Sequence, residues 1–335
     1  MENKTLNYYI TKYFSDYLPV VKGVSINTII SYRDTFIDLL QYCEKNKKLN
    51  LKNISLTSID YEIIEGYLKY LEEEKGNSIS TRNQRLASIH SFYQYLQKRE
   101  LSCFDNCANI LSIPYKKAPK KTLSYFSKEE IAILIKVPNT QEKNGFRHYT
   151  LLLFMYETAA RAQEICDITK KQIHIGDYNY IVLKGKGNKE RNIPISKELS
   201  NILTKYMTVF KIDDPNDYVF KNKSSVKMTP KGIEYILKKY VDKCKNKYPE
   251  KFTEKYSNHS MRHTRAMHLL ESGINLIYIR DILGHTSVVT TEIYARTNPK
   301  VKEKIIKDHS ASLNVKDRYT NKQKEDLIKF LKEMK

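Results

Sequence analysis

The chain contains few cysteines, and their arrangement argues against a disulfide framework. Its 335 residues include five, at positions 43, 103, 107, 166 and 244, which is an odd number without CxxC spacing. We therefore expect free thiols in a reducing compartment. No apolar run approaches the roughly eighteen residues that a membrane span needs, and the N-terminus lacks the features of a signal peptide. These absences predict a soluble, cytoplasmic protein.

A glycine-rich nucleotide loop is also missing, so we predict no ATP requirement and no cofactor. Positive charge, in contrast, is abundant. Lysine and arginine total 58 against 38 acidic residues, which gives a formal net charge of +20. Such an excess attracts polyanions, and nucleic acid is the expected partner. Charge alone leaves open an ordinary enzyme with a lysine-rich surface.

The first 112 residues show only helical patterns. Apolar residues recur at helical spacing after a candidate N-cap at Ser25, again over roughly 58–74, and again from near Ser80. We predict a small helical domain over 1–112. An exposed basic linker, IPYKKAPKKTL, follows over 113–123, because two prolines and four lysines leave little to bury.

The rest of the chain predicts a second domain that is mostly helical with a small antiparallel sheet. Ser127 opens it with a capping-box pattern, and an apolar helix follows at 148–158. Alternating apolar residues on both sides of KGKGNKER predict a β-hairpin whose second strand lies at an edge, because it contains Pro194. We place this domain at 124–309 and a tail helix within 310–335, and the fold class is mainly α. Further helix limits are predicted at Ser196, Thr229, Gly273 and Gly284.

Two segments of the second domain place basic residues where a helical core does not need them. Arg161, in ETAARAQEI, follows an apolar helix, and Glu164 lies three residues on, where it can orient the guanidinium. The hairpin turn carries three lysines, Lys184, Lys186 and Lys189. Taken alone, a structural ion pair explains the first segment and a solvated turn explains the second.

Histidines mark two further segments. In HSMRH, His259 and Arg262 are three residues apart and share one face of a helix, and in LGHTSVVTTEIY, His285 stands nine residues before Tyr294. The HxxxH spacing of His259 and His263 is half of a zinc-protease signature, but serine replaces the glutamate that would act as general base. We therefore predict no metal and interpret His263 as a supporting or core residue.

Arginine, lysine on a β-turn, HxxR, LGHxS and a tyrosine nine residues on, in this order, resemble the tyrosine recombinase (phage integrase) superfamily. The resemblance covers the second domain throughout. The helical domain and basic linker are similar to those of compact Xer-like or mobile-element recombinases, which have no separate arm-binding module. One departure is Ala159, where many relatives have glycine. By this resemblance six residues occupy catalytic positions: Arg161, Lys186, His259, Arg262, His285 and Tyr294.

The resemblance implies a site-specific recombinase that cleaves and rejoins double-stranded DNA through a covalent 3′-phosphotyrosyl intermediate, without metal or ATP. It would integrate or excise a mobile element, or resolve chromosomes or plasmids. Tyr294 would be the nucleophile, the two arginines would hold the non-bridging oxygens, and Lys186 would protonate the leaving 5′ oxygen. His259 and His285 would accept the tyrosine proton or bind the phosphate.

The same resemblance implies a homo-oligomer, with four protomers on two DNA sites and the tail helix docked on a neighbouring subunit. Three other functions remain as alternatives. They are a type IB topoisomerase that relaxes DNA, a DNA-binding regulator with an inactive catalytic domain, and a metallohydrolase built on HxxxH.

Candidate DNA-binding residues are predicted in three exposed places: the start of a helix, the linker and the hairpin. A helix whose first turns are polar and whose later turns are apolar suits a DNA groove, and an extended basic linker can follow a phosphate backbone. A solvated turn and a plain tether explain the same residues nearly as well. The candidates are Thr81, Arg82, Asn83, Arg85, Lys116, Lys117, Lys120, Lys121 and Lys189.

Overall fold

The computed structural model divides the chain into two compact units, Met1–Lys121 and Thr122–Lys335. It describes residues 5–119, 123–185, 187, 189–222, 224, 226–285, 287–288, 291–294 and 321–333. Within these ranges the protein is mainly helical, with one small antiparallel sheet in the second unit, as the sequence predicts. None of the helices in these ranges is both long enough and apolar enough to cross a membrane.

All regular structure described in the first unit is helical. The α-helices are, in chain order, α1 (Leu6–Lys12), α2 (Ile26–Lys47), α3 (Tyr61–Glu73), α4 (Ile79–Gln97) and α5 (Phe104–Leu111). A π-helix, Tyr13–Val21, continues α1, and the sequence patterns did not predict it. The predicted N-cap of α2 is confirmed, because the Ser25 hydroxyl accepts the N–H of Thr28. The cap of α4 is Ser78, two residues before the predicted start.

Aromatic side chains form the centre of the first unit. Tyr13 packs edge-on against Phe92 at 5.2 Å between ring centroids, and Phe92 packs edge-on against Phe36 at 5.1 Å. The buried Tyr13 hydroxyl donates to Ser91 Oγ at 2.8 Å, so burial leaves no unpaired hydroxyl there. This core fixes α4, the helix on which groove-binding residues were predicted.

Arg82 of α4 is not exposed, and that prediction was wrong. Only 5% of the residue is accessible. Its Nη1 donates to the carbonyl of Pro114 and to Asn83 Oδ1, both at 3.1 Å, and the Glu72 carboxylate lies 3.5 Å from its Nε. Asn83 in turn pairs with both backbone groups of Lys116, at 2.7 and 3.1 Å. The polar first turns of α4 therefore hold the start of the linker, because a guanidinium can be buried where such partners surround it.

The second unit combines helices with a three-stranded sheet. The helices are α6 (Lys128–Lys136), α7 (Lys143–Thr158), α8 (Ala162–Asp167), α9 (Lys197–Phe210), α10 (Pro230–Lys247), α11 (Asn258–Glu271), α12 (Leu276–Leu283) and α13 (Asn321–Glu333). The strands are β1 (Ile173–His174), β2 (Tyr180–Lys184) and β3 (Glu190–Pro194). Residues 291–294 are also helical. Helix α7 begins five residues before its predicted start, at Lys143.

The predicted hairpin is present. Strands β2 and β3 pair antiparallel with Ile181 opposite Ile193, and the sheet order β1-β2-β3 places Pro194 on an edge strand. Strand β1 was not predicted, because two residues are too few to form an alternating pattern. The hairpin thereby brings Arg191, on β3, into contact with the carboxylate of Glu164 on α8.

Apart from the start of α7, the predicted helix limits of the second unit are confirmed where the structure describes them. Ser127 and Glu130 form the capping box of α6, and the hydroxyls of Ser196 and Thr229 cap α9 and α10. Gly284 ends α12 with φ of 60°, a left-handed conformation that glycine adopts without strain. Apolar residues of α7 are fully buried, so the core fixes the direction in which the chain leaves that helix.

Candidate active site

The end of α7 places Arg161. Ala159 has φ of 49°, so the chain turns through the left-handed region directly after the helix and then runs extended at Arg161. A side chain in that region costs roughly 1–2 kcal/mol, which is why glycine is usual at such a bend. The bend is nevertheless formed, and Arg161 stands at the start of α8 with its side chain about one-third exposed.

Glu164 joins two arginines. Its carboxylate accepts the backbone N–H and the Nη1 of Arg161, at 2.8 and 2.9 Å, and two guanidinium nitrogens of Arg191, at 2.9 and 2.6 Å. Burial alone would raise the pKa of Glu164, but the hydrogen bonds and charge of Arg191, followed by those of Arg161, outweigh it and lower the pKa. The carboxylate thus stays ionised and fixes both cations.

Arg191 was not among the predicted site residues. Besides its fork to Glu164, its Nε donates to the carbonyl of Ile282 at 2.9 Å, near the end of α12. It therefore ties β3 to the segment that leads into His285. The only sequence signal was an arginine on a strand directly after the hairpin turn, which by itself does not distinguish a structural from a surface residue.

Arg262 projects from α11 and is 4% exposed. Its Nη1 donates to the carbonyl of Ala159 at 2.8 Å, and its Nη2 donates to the carbonyl of Leu283. Burial, followed by the charge of Arg161, lowers the pKa of Arg262 to about 9, so it keeps its charge at neutral pH. Its hydrogen bonds to described residues go to neutral carbonyls, and a buried cation with such partners is well suited to receive an anion.

A cavity of about 230 Å³ lies at the first turns of α8, α10 and α11, and the exposed carboxylate Glu234 of α10 is part of its lining. Arg161, His259 and Arg262 line it together, with Asn258 beside them. His259 is exposed, whereas the buried Oδ1 of Asn258 has no hydrogen-bond partner among the described residues. Two guanidinium groups and an imidazole around one opening form a site for an anion with several oxygens, such as a phosphodiester.

Tyr294 is buried beside this cluster, at 1% exposure, in an apolar group that includes Ala266 and Met267. Its hydroxyl and Nδ1 of His263 are 2.9 Å apart. The sequence assigns His263 only a supporting or core position, whereas the structure places its ring in direct contact with the candidate nucleophile. Burial raises the pKa of Tyr294, although Arg262 and Arg161 oppose the shift.

His285 follows Gly284 at the end of α12. Its Nδ1 lies 3.0 Å from the Thr291 hydroxyl, which fixes the ring. Burial, followed by the charges of Arg262 and Arg161, lowers the pKa of His285 to about 4, so the imidazole is neutral at pH 7. In that form it can donate or accept a hydrogen bond but brings no charge.

The hairpin lysines are only partly described. Lys186, the predicted general acid, lies outside the described residues. Lys184 pairs with Glu190 at 2.9 Å on the surface, and Lys189 is exposed. Across the described ranges, no group of three or more His, Cys, Asp or Glu residues is arranged to bind a metal ion.

Some candidate DNA-binding residues of the first unit are hydrogen-bonded or ion-paired within the protein, and others are exposed. Arg85 is half-buried and donates to Thr35 Oγ1 at 3.0 Å, and the Thr81 hydroxyl contacts Ser78. Lys116 pairs with Glu72 at 2.8 Å, and Lys117 is exposed. Two more of the candidates, Lys120 and Lys121, lie outside the described residues.

Comparison with known proteins agrees with this geometry. Residues 124–300 match the Phage integrase family, and residues 11–100 match the Phage integrase N-terminal SAM-like domain. A tyrosine recombinase XerC of Myxococcus xanthus is 30% identical over 290 residues, which cover 84% of this chain and 91% of that protein. The XerC of Bacillus subtilis is 27% identical over 296 residues, which cover 87% and 92% of the two chains.

Solved structures share the fold. The XerH site-specific recombinase bound to its difH substrate matches with a TM-score of 0.65 at 20% identity, over 85% of this chain and 80% of that one. The Tn1549 transposon integrase in complex with transposon right end DNA matches with a TM-score of 0.68 at 17% identity, over 90% and 99%. With the family match over both units, this chain belongs to the phage integrase family of tyrosine recombinases, and it is a site-specific recombinase that cleaves and rejoins DNA strands.

Proposed function

We propose that this chain cleaves double-stranded DNA with Tyr294 and conserves the energy of the broken phosphodiester bond in a 3′-phosphotyrosyl ester. The observation that carries this proposal is a pair of arginines, Arg161 and Arg262, that line one cavity and lie near enough to the buried Tyr294 for their charges to oppose the rise of its pKa. Because the ester stores the energy of the phosphodiester, strand rejoining needs no nucleotide. The comparisons do not favour the topoisomerase alternative.

The two arginines stabilise the charge that develops on the non-bridging phosphate oxygens. Arg161 is held by Glu164, and Arg262 contributes a buried cation at the same cavity. Removing one preorganised donor of this kind typically lowers the rate by about a hundred- to a thousandfold. Lys186 is the proposed donor of the proton to the 5′ oxygen, and His259 and His285 hydrogen-bond the phosphate.

The DNA-bound form is proposed to be a tetramer on two recombination sites. Helix α13 supports this, because Ile328, Phe330 and Leu331 are 54–59% exposed and a short helix with uncovered apolar side chains needs a surface to pack against. A neighbouring subunit provides that surface. The two proposed biological roles are integration or excision of a mobile element and resolution of chromosomes or plasmids. Both roles place the protein in the cytoplasm.

A nicked suicide substrate tests the assignment of the nucleophile. The wild-type protein, with EDTA in excess, is expected to form a denaturation-resistant adduct with the DNA. Tyr294→Phe removes one oxygen from a buried ring, so it should bind the same DNA and form no adduct. The control is Tyr278→Phe, which removes the same oxygen from an exposed ring on α12 and should cleave normally. An adduct formed by Tyr294→Phe would assign the chemistry to another residue.

A further inference from the structure

The phenol of Tyr294 has one described hydrogen-bond partner, and this partner is not among the residues that line the phosphate cavity. His263 Nδ1 lies 2.9 Å from Tyr294 Oη, and the two ring centroids are 5.7 Å apart. His263 stands on α11 directly after Arg262, so the two residues point to different sides of the helix. One helix thus presents a guanidinium to the phosphate and an imidazole to the tyrosine.

His263 can accept the hydrogen bond of the phenol at Nδ1 in the tautomer that carries its ring proton on Nε2. Burial, followed by the nearby His259 and Arg262, lowers the pKa of His263 to about 4, so the ring is neutral at pH 7. A neutral imidazole has one unprotonated nitrogen, and it can accept the tyrosine O–H there. Burial also raises the pKa of Tyr294, so the phenol does not ionise unaided at neutral pH.

The other two histidines of the site are placed for different contacts. His285 Nδ1 is engaged with the Thr291 hydroxyl at 3.0 Å. His259 is exposed and lines the cavity with Arg161. Within the described part of the site, a base for the phenol proton is therefore found on α11 at His263.

We propose that His263 is the general base that takes the phenol proton of Tyr294 during strand cleavage. This inference rests on the proposed function of Tyr294 as the nucleophile. As the bond between Tyr294 Oη and phosphorus forms, the phenol proton passes to His263 Nδ1, the bond between phosphorus and the 5′ oxygen breaks, and that oxygen takes a proton from the general acid. In rejoining, His263 returns its proton to the departing tyrosine oxygen.

Replacing His263 by asparagine tests this role, because the Asn side chain can still accept a hydrogen bond but cannot take up the proton. Loss of a general base typically lowers a rate by about a hundred- to ten-thousandfold, and we expect cleavage of the suicide substrate to fall within that range. DNA affinity should remain unchanged. His263→Asp, of nearly the same shape as the asparagine variant but with a basic carboxylate, should cleave at least about tenfold faster than His263→Asn.

A more acidic nucleophile provides the second measurement. A fluorinated tyrosine at position 294 gives up its proton more readily, so it should restore much of the cleavage lost in His263→Asn. His268→Asn is the matched control, because His268 is on the same helix and its Nδ1 also contacts a tyrosine hydroxyl, that of Tyr156 at 3.1 Å. His268→Asn should lower the stability of the protein, but the fluorinated tyrosine should not raise the cleavage rate of this variant.

The outcomes separate the two proposals. If the wild-type protein forms no adduct through Tyr294, the proposed nucleophile is wrong. If the wild type forms the adduct but His263→Asn cleaves at nearly the same rate, His263 is not the base. Equal loss in His263→Asp and His263→Asn, with no rescue by the fluorinated tyrosine, also overturns the inference, since a purely structural role predicts that result. If the fluorinated tyrosine restores cleavage in His259→Asn but not in His263→Asn, the base is His259.

Discussion

A single carboxylate, that of Glu164, determines how the two sides of the active site are held together. It contacts Arg161, the residue directly before α8, and Arg191 on β3, and Glu164 itself is 7% exposed. Breaking a buried ion pair by removing one partner typically costs about 3–5 kcal/mol, because a charge is then buried without compensation. The position of Arg161 therefore depends on a strand that does not line the cavity.

Gly284 is the position where this arrangement leaves no room for a side chain. A Cβ there would lie 2.9 Å from Arg191 Nη1 and 3.1 Å from its Cζ, and the left-handed φ adds roughly 1–2 kcal/mol of strain. We expect Gly284→Ala to lower the unfolding temperature and also to slow cleavage strongly, because Arg191 must move away from Glu164. Thermal unfolding and the suicide-substrate rate measure the two effects.

Gly273→Ala is the matched control. Its φ is 84°, but no described atom lies within 4 Å of the added Cβ. It should therefore show the conformational strain alone, with stability reduced and cleavage close to wild type below the unfolding temperature. Equal cleavage rates in the two alanine variants would mean that Arg191 does not control the site.

The histidines of the site make stability dependent on pH. The pKa of both His263 and His285 is lowered from 6.5 to about 4, so between these values the unfolded chain binds protons that the folded protein does not. The free energy of unfolding of the DNA-free protein should thus fall as the pH drops from about 6.5 toward about 4. The double variant His263→Gln, His285→Gln should show a shallower fall in unfolding temperature over this range.

Burial of His90 and His268 lowers the pKa of each of them too, so part of the pH dependence should remain in that double variant. Unfolding curves that are parallel for the wild type and the double variant would show that neither active-site histidine is desolvated in solution.

Residue types and their order predicted a set of candidate site residues, but not the contacts of those residues. Arg82 illustrates the difference, because an arginine in a polar first turn gives the same pattern whether it faces water or Glu72. His263 illustrates it again: its contact is with a tyrosine 31 residues further on, and no local spacing encodes that pair. Glu164 was placed correctly beside Arg161, since an i,i+3 pair is local.

At the scale of elements, helix starts were the most predictable feature. Side-chain caps such as Ser127 and Thr229 act within one turn, so their sequence pattern is sufficient to locate them. The π-helix Tyr13–Val21, which contains Pro19, was missed because the spacing of its apolar residues does not distinguish it from an α-helix. Strand β1 was missed because its two residues form strand only by pairing with β2.

Helix α13 gives the prediction that belongs to this scale. Replacing its three exposed apolar residues, Ile328, Phe330 and Leu331, by serine should leave the unfolding temperature nearly unchanged, because each is more than half exposed. Binding to single sites should also persist, whereas cooperative binding and pairing of two sites should be lost. Mobility shift and analytical ultracentrifugation with one-site and two-site DNA distinguish these outcomes.

The control for α13 changes the same number of residues on its charged surface. Glu325, Lys329 and Lys332 are also exposed, and their replacement by serine should leave pairing intact. Met334 lies outside the described residues, so the variant does not depend on it. If the apolar variant unfolds at a clearly lower temperature, α13 packs on its own subunit. If it pairs sites normally, the helix is dispensable for assembly.

For the whole molecule, the net charge of +20 should make DNA binding strongly dependent on salt. Each phosphate that a cation neutralises contributes about −0.9 to the slope of log affinity against log salt concentration. Within the basic linker, Lys116 is already paired with Glu72, whereas Lys117 is exposed. A paired surface lysine contributes less, so Lys117 should contribute more to the linker's share of the slope than Lys116 does.

Changing all four linker lysines to glutamine should therefore reduce the magnitude of the slope by about 0.9 for each lysine that contacts a phosphate, without altering the preferred site. A control variant removes four lysines near the N-terminal end of α7, so the change in net charge is the same. The 16 residues of α7 place this end about 24 Å from the end that precedes Arg161. The control should leave the slope nearly unchanged, because net charge alone does not release counterions from the DNA. Equal slopes in the wild type and the linker variant would show that the linker does not follow the backbone. The linker variant changes Lys116, Lys117, Lys120 and Lys121, and the control changes Lys143, Lys205, Lys211 and Lys221.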